Sequence, residues 1–345
     1  MSGPRLGFAR VAARMGACLF ALAATFCASC GAAAEMEHTV VSLPAENFSF
    51  LPFYVAQDAN FFEREELQVT KVVLPGVGTT NGVISGSVNF GFSNGASLTR
   101  AAAHGQKLLA IALTSDKPAW QLIMRKSLAD DAGFDSKAPL AERARVMAKA
   151  HIFAVDTVNS VGYAFVRVIA KIGGLDFDTM PVAPMPTSSA IVAYSRGEID
   201  GFVSSAPWTQ QVLAGGRAIV IADGLAGDPP WLTPLAAGLV ITQPQFCAAH
   251  RSICVKMGHA LVAAVHFVHD HKGEAIAILE RRFPQIDRAV VKSAFAVVEK
   301  AMPSSPLVIE AAIANADRLN IEAGLMKPQE HLKSYRDLYT NDFVR

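Results

Sequence analysis

The chain has 345 residues, of which 51% are hydrophobic and 18% charged, and its formal net charge is +1. A charge so close to neutral excludes the electrostatic footprint expected of a binder of nucleic acid or anionic membrane. The length suits two domains.

The first 35 residues have the layout of a secretory signal peptide. Arg5, Arg10 and Arg14 form a basic head, Met15 to Phe26 is an apolar run too short to span a bilayer, and small residues follow from Ala28 to Ala34. Segment 1–34 is expected to be removed, leaving a chain of formal charge −2. Ala32-Ala33-Ala34 before Glu35 fits ordinary cleavage. Cys27-Ala28-Ser29-Cys30 resembles a lipoprotein box with Cys30 as the lipidated residue. Ordinary cleavage takes precedence, because Cys27 stands where a large aliphatic is usual. The expected location is a bacterial periplasm, where ATP- and NAD-dependent chemistry is disfavoured. No later run approaches 18 apolar residues, so no second membrane segment is expected. Of five cysteines, only Cys247 and Cys254 lie beyond the leader. They form a disulfide or two buried thiols, and spacing alone leaves both open.

Strands and helices alternate through the first half, the pattern of an α/β sheet. Strands are expected at His38–Leu43, Val69–Leu74, Asn89–Phe92 and Lys107–Leu113. Helices are expected at Phe50–Leu67, Thr79–Ser85 and Ala96–His104, the last closed by Gly105. Trp120–Met124 is a short apolar strand, and Ser127–Lys149 is polar and poorly periodic. A second α/β unit follows. Its strands are His151–Val155, Met180–Met185, Gly201–Ser204 and Ala218–Ala222. Its helices are Ser160–Ile172, Ser188–Arg196 and Trp208–Leu213. Leu235–Thr242 is again a strand. From Cys247 onward the pattern is helical, in at least three amphipathic segments. Two α/β lobes joined by two crossing strands, Trp120–Met124 and Leu235–Thr242, form a hinge architecture that closes on a ligand. The expected division is 38–120 plus 238–345 for the first lobe and 121–237 for the second.

Several strand-to-helix turns are built from small polar residues: Asn94 to Ser97, Thr157 to Ser160, Thr187 to Ser189, and Ser204 to Pro207. Ligands of open α/β sheets sit beyond the carboxyl ends of the strands, where helix N-termini offer free N–H groups to an anion. For any one loop, simple helix capping is the stronger explanation. Four such loops facing one cleft favour a site. Trp120, Trp208 and Trp231 lie near these turns, where large aromatics wall small-molecule pockets.

The search for catalytic groups is mostly negative. There is no Gly-x-Ser-x-Gly elbow and no phosphate-loop pattern. The acids of Gly197-Glu198-Ile199-Asp200 read as a solvated turn. His259, His266, His269 and His271 share one C-terminal helix, but no ligand set is completed, so no metal is expected.

Certain segments, in this order, resemble the substrate-binding proteins of ABC transporters in the nitrate, sulfonate and taurine group, relatives of the thiamine-pyrimidine-precursor binding proteins. They are Leu51-Pro52-Phe53-Tyr54-Val55-Ala56 with Asn60-Phe61-Phe62, and Gly86-Ser87-Val88-Asn89-Phe90-Gly91-Phe92. Gly173-Gly174-Leu175-Asp176 and Ser195-Arg196-Gly197-Glu198-Ile199-Asp200-Gly201 complete the set. The resemblance implies an α/β, two-lobe periplasmic binding protein fold (type II) with a helical C-terminal part. It also implies a cleft lined by Asn47, Phe48, Asn94, Ser97, Thr157, Asn159, Ser160, Ser188, Ser205 and Trp208, to which the aromatic argument adds Trp120 and Trp231. The pyrimidine branch carries an Asn-x-x-His near the first helix. Here Asn47 is followed by Phe48-Ser49-Phe50, which does not match it.

The implied function is capture of a small organic anion, sulfonate-like or aromatic, and its delivery to a permease and ATPase in the membrane. No cofactor and no nucleic acid are implied, and a monomer is expected. A pyrimidine-precursor-synthesising enzyme is the alternative. It needs an active-site His and a pyridoxal-bearing Lys, and the nearest candidates, His104 and Lys107, lie away from the cleft loops. A ligand-sensing subunit of a membrane receptor is a third reading, which sequence does not separate from transport.

Overall fold

The computed structural model describes residues 36–345; the expected signal segment 1–34 and Cys30 lie outside the described residues. The chain first builds β1 (Glu37–Leu43), α1 (Leu51–Asp58), α2 (Phe61–Arg64), β2 (Leu67–Val73), α3 (Gly78–Ser85), β3 (Phe90–Ser93), α4 (Gly95–Ala103) and β4 (Leu109–Ser115). It then crosses to β5 (Gln121–Arg125), α5 (Lys126–Asp131), α6 (Leu140–Arg145), β6 (Phe153–Val155), α7 (Val161–Ile172), β7 (Val182–Pro184), α8 (Thr187–Arg196), β8 (Gly201–Ser204), α9 (Trp208–Ala214) and β9 (Ala218–Asp223). It returns to β10 (Gly238–Thr242). Five helices close the chain: α10 (Pro244–Ala249), α11 (Arg251–Asp270), α12 (Lys272–Arg282), α13 (Arg288–Ala301) and α14 (Glu310–Glu322).

The strands form two five-stranded sheets, ordered β2-β1-β3-β10-β4 and β7-β6-β8-β5-β9. In each, the first three strands are parallel and fed by helices. The fourth is the strand that arrives from the other sheet, and it runs antiparallel: Val240 faces Phe92, and Leu122 faces Val203. Each sheet therefore borrows a strand from the far end of a crossing, which fixes where the two carboxyl edges face.

The crossings themselves are not strands. The expected crossing strands Trp120–Met124 and Leu235–Thr242 begin only after the chain has crossed, at Gln121 and Gly238. Pro118 on the way out, and Pro229, Pro230 and Pro234 on the way back, lack the N–H that a ladder needs. The two segments bond to each other instead. Leu235 N–H donates to the Asp116 carbonyl at 2.8 Å and Ala237 N–H to the Ser115 carbonyl at 3.1 Å.

Other departures have local causes. The expected helix Phe50–Leu67 breaks at Asn60, which takes a left-handed φ of 57°, a conformation Asn tolerates better than most residues. The polar stretch after Ser127 holds α5 and α6, which bury only Ala129 and Ala144; that is too little apolar surface to give a periodic signal. Arg143 on α6 forks onto the Asp228 carboxylate at 2.7 and 3.0 Å, pinning the return crossing. Asp200, expected to be solvated, is buried and accepts the His151 N–H at 2.6 Å.

The main core lies between the first sheet and the C-terminal helices. Phe53, Tyr54, Phe62, Met257, Leu261 and Val265 are fully or almost fully buried there. α11 is long and apolar enough to cross a membrane. It is a core helix: Met257, Leu261, Ala264, Val265 and Val268 on its inner face are buried. Cys247 and Cys254 are both buried and joined by a disulfide that ties α10 to α11.

Candidate functional site

The carboxyl edges of the two sheets face a cavity of about 740 Å³. From the first sheet it is lined by the turn after β1 (Pro44 to Asn47, Ser49, Phe50), the turn after β2 (Pro75 to Val77), and Phe92 to Asn94 with Ser97. The second sheet contributes Asp156, Thr157 and Ser160 to Gly162 after β6, Pro184 to Ser188 after β7, and Val203 to Ser205 with Trp208 after β8. Trp120 and Gly238 close the crossing side. This volume lies in the range of small-molecule sites.

The local sequence explains these turns. Asn47 accepts the Ser49 N–H at 2.9 Å and Asn94 the Ser97 N–H at 2.9 Å. Ser160 accepts the Tyr163 N–H at 3.1 Å and starts α7. Small polar residues thus begin α4 and α7 without occupying the space between, whereas α3 and α9 start at Val77 and Pro207 with no side-chain cap. α8 likewise has Pro186 at its N-cap position, and no side chain caps its first turn. Its free N–H groups open beside Thr187 and Ser188 on the cavity wall.

Asn47, Asn94, Ser97, Trp120, Thr157, Ser160, Ser188, Ser205 and Trp208 are brought together around this cavity. Three further candidates are not. Phe48 is fully buried in the main core, its ring 4.9 Å from that of Phe283. A 3-10 turn over Phe48–Phe50 sends Phe48 inward and leaves Phe50 on the wall. Asn159 adopts a left-handed φ of 66° on an exposed bend outside the cavity lining. Trp231 packs on the second sheet's core under the Arg318 guanidinium, 4.3 Å from its ring centroid. His104 and Lys107 are exposed and line none of the cavity.

Sequence reasoning, which sets most phenylalanines near the turns in the core by default, passed over Phe50, and it missed Glu46 and Asp156. The three-residue turn sets Phe50 on the wall, and Phe92, 1% exposed, borders the cavity from within the core. The two carboxylates carried no motif. Glu46 is spent on structure: Tyr54 Oη–H donates to one oxygen at 2.7 Å and Lys71 pairs with the other. Burial, and then the Glu46 carboxylate, push the Tyr54 phenol far above its ordinary range. Asp156 is half-committed. Its Oδ1 accepts the Ser160 hydroxyl at 2.5 Å, and no described group bonds Oδ2. Among the described residues no Lys or Arg lines the cavity.

The two edges touch at the rim. Gly76, at φ +56°, lies so near Thr157 that an added Cβ would be 2.8 Å from its Oγ1. On the floor, Phe48 N–H donates to the Ala206 carbonyl at 3.2 Å and Ser49 Oγ–H to Ser205 Oγ at 3.4 Å.

Known structures repeat this arrangement of paired sheets. A protein from Bordetella bronchiseptica RB50 is similar with a TM-score of 0.76 at 18% identity, over 90% of this chain and 96% of that one. The alkanesulfonate-binding protein SsuA from Xanthomonas axonopodis pv. citri, bound to MOPS, gives 0.69 at 17% identity, over 89% and 100%. The periplasmic nitrate-binding protein NrtA from Synechocystis PCC 6803 gives 0.68 at 11% identity, over 90% and 87%. The chain has the periplasmic binding protein fold. Within this fold, residues 47–133 match the family model described as NMT1/THI5 like. That stretch runs from the first cavity turn to the end of α5. No curated protein matches the sequence significantly.

Proposed function

We propose that the chain is an extracytoplasmic solute-binding protein that captures a small organic anion between two lobes and hands it to an ABC permease and its ATPase. The lobes are 38–120 with 238–345, and 121–237. The observation that carries this reading is the cavity itself, which lies between the carboxyl edges of two sheets and is walled by Phe50, Phe92, Trp120 and Trp208. The similar SsuA and NrtA are named for binding alkanesulfonate and nitrate. With no base on the wall, an acidic head is held by uncapped N–H groups of α8 and by hydroxyls such as Ser205. The aromatic rings pack its apolar part. The protein works as a periplasmic monomer, freed from its leader after Ala34, and is not an enzyme.

Titration of small solutes against the mature protein, followed by fluorescence of Trp120 and Trp208, tests the reading. Saturable one-to-one binding is expected, lost in Trp208→Ala, with the solute recovered chemically unchanged. Cells lacking the gene are expected to lose uptake of the same solute. Chemical turnover of the solute, or binding indifferent to Trp208, overturns it.

A further inference from the structure

A chain of side-chain hydrogen bonds joins the segments that carry Trp120 and Trp208, and none of its members lines the cavity. Gln121 follows Trp120 at the start of β5, is buried, and stands opposite Asp223 of β9 in the ladder. Its Nε2–H donates to Asp223 Oδ2 at 2.8 Å, and its Oε1 accepts the Gln210 Nε2–H at 3.0 Å. Gln210 Oε1 in turn accepts the Thr209 hydroxyl at 3.1 Å. A carboxylate only accepts, so the Asp223 end sets the direction of every bond: Gln121 turns its NH2 to Asp223 and its oxygen to Gln210. Asp223 Oδ1 accepts the Leu225 and Ala226 N–H groups at 2.9 and 3.3 Å, where the return crossing begins. The chain therefore runs from the return crossing, through β5, to the first turn of α9.

That turn is poorly held by apolar packing. The one fully buried residue of α9 is Thr209, and Val212 and Leu213 are only half-buried. Trp208 itself packs in part against the main core, which belongs to the first sheet. We infer that Gln121 is a positioning residue for the cavity: its amide, clamped between Asp223 and Gln210, ties α9 to β5 and sets the place of the Trp208 ring relative to Trp120. This rests on the solute-binding reading above and adds to it a residue that reaches the solute only through Trp208. An amide with both halves bonded in a buried place has no apolar substitute, because its loss strands both partners.

The chain has three tryptophans, and labelling with 5-fluorotryptophan gives each a fluorine resonance, assigned by single Trp→Phe changes. The measurement is made without solute, so its failure is separate from failure of the binding titration. Gln210→Met cuts the chain at its half-buried end and leaves the Gln121–Asp223 pair in place. It is expected to shift and broaden the Trp208 resonance while Trp231, outside the cavity lining, keeps its own. Gln121→Glu sets a second carboxylate against Asp223 and is expected to move Trp208 further. Adding Asp223→Asn to Gln121→Glu supplies an NH2 for the new carboxylate and keeps an oxygen for Leu225 and Ala226, so the Trp208 resonance should return toward its wild-type position. Should Gln121→Glu alone fail to fold, Gln210→Met and the double variant carry the test. A Trp208 resonance unmoved by Gln210→Met overturns the inference. So does a double variant that does not restore it, or a Trp231 resonance that moves in step with Trp208 in Gln210→Met.

Discussion

The two sides of the cavity are built by the same grammar and finished differently. On the first sheet's side the Glu46 carboxylate is consumed by Tyr54 and Lys71, and the Asn47 and Asn94 carbonyl oxygens by the N–H groups they cap. What remains for a guest is the Phe50 ring, the Asn94 NH2 group and the Ser97 hydroxyl. On the second sheet's side polar capacity is left over: Asp156 Oδ2, the Thr157 hydroxyl and the uncapped start of α8. The first side is a packed base continuous with the C-terminal helices. The second carries the unbonded Asp156 Oδ2 and Thr157 hydroxyl. A fold can thus repeat one unit twice and finish the turns of each copy with different partners.

Mutations that strike the base test this division most strongly. Phe53, fully buried behind Phe92, is expected to cost about 3–5 kcal/mol of stability on change to alanine, read by urea denaturation. A loss confined to binding would contradict its role as support. The crossing pin comes next. Asp228→Ala leaves the Arg143 guanidinium largely buried without its carboxylate, and is expected to cost about 3–5 kcal/mol or slightly less, with unfolding as the readout. At the cavity itself the effects belong to affinity. Gly76→Ala forces a left-handed alanine toward Thr157, so solute affinity should fall with little change in the second sheet's own stability. Calorimetry and hydrogen exchange together separate the two. Ser205→Ala is expected to weaken binding by about 0.5–1.5 kcal/mol if its hydroxyl donates to the solute. Equal affinity would assign Ser205 to the floor contact with Ser49 alone.

The smallest effect lies on the outer strap of the base. Glu37 at the start of β1 is held below the ordinary carboxylate range by the Ser252 hydroxyl and Lys256 on α11. A lowered native value means this stabilisation is present above about pH 4.5 and is lost as pH falls through the lowered value. Glu37→Gln should flatten that acid limb by a few tenths of a kcal/mol, because the pair is near the surface.

Much of the fold is legible in the sequence because its strands are short apolar runs closed by Gly, Ser and Asn. The sequence places β8 at its observed bounds, and most other elements within two or three residues. The crossings mislead because apolarity continues through Trp120 and Leu235 while proline removes the ladder. The candidate cleft is legible as turns but not as side-chain directions. Phe48 and Phe50 differ only in their place within a three-residue turn, and nothing in Asn47-Phe48-Ser49-Phe50 says which ring goes inward. Asp156 escapes sequence reasoning for the same reason. A single acid after a strand has no pattern, and its meaning depends on what its neighbours leave unbonded.

The two crossings differ in length, and that difference fixes an axis. The outgoing one runs only from Asp116 to Trp120, the returning one from Gly224 to Ala237, and the two are stitched together at Asp116–Leu235 and Ser115–Ala237. The Ser115 hydroxyl and the Asp116 N–H are in turn bonded to the Ala301 carbonyl at the end of α13. A rotation of one sheet against the other must pivot at this stitched point, because the short arm has no slack to give. Displacement then grows with distance from the pivot, as it does along a lever. In such a rotation Trp120 and Gly238 would stay near the pivot, whereas Gly76 and Thr157, on opposite lips, would move more. The same small angle that leaves the back wall in place opens the rim.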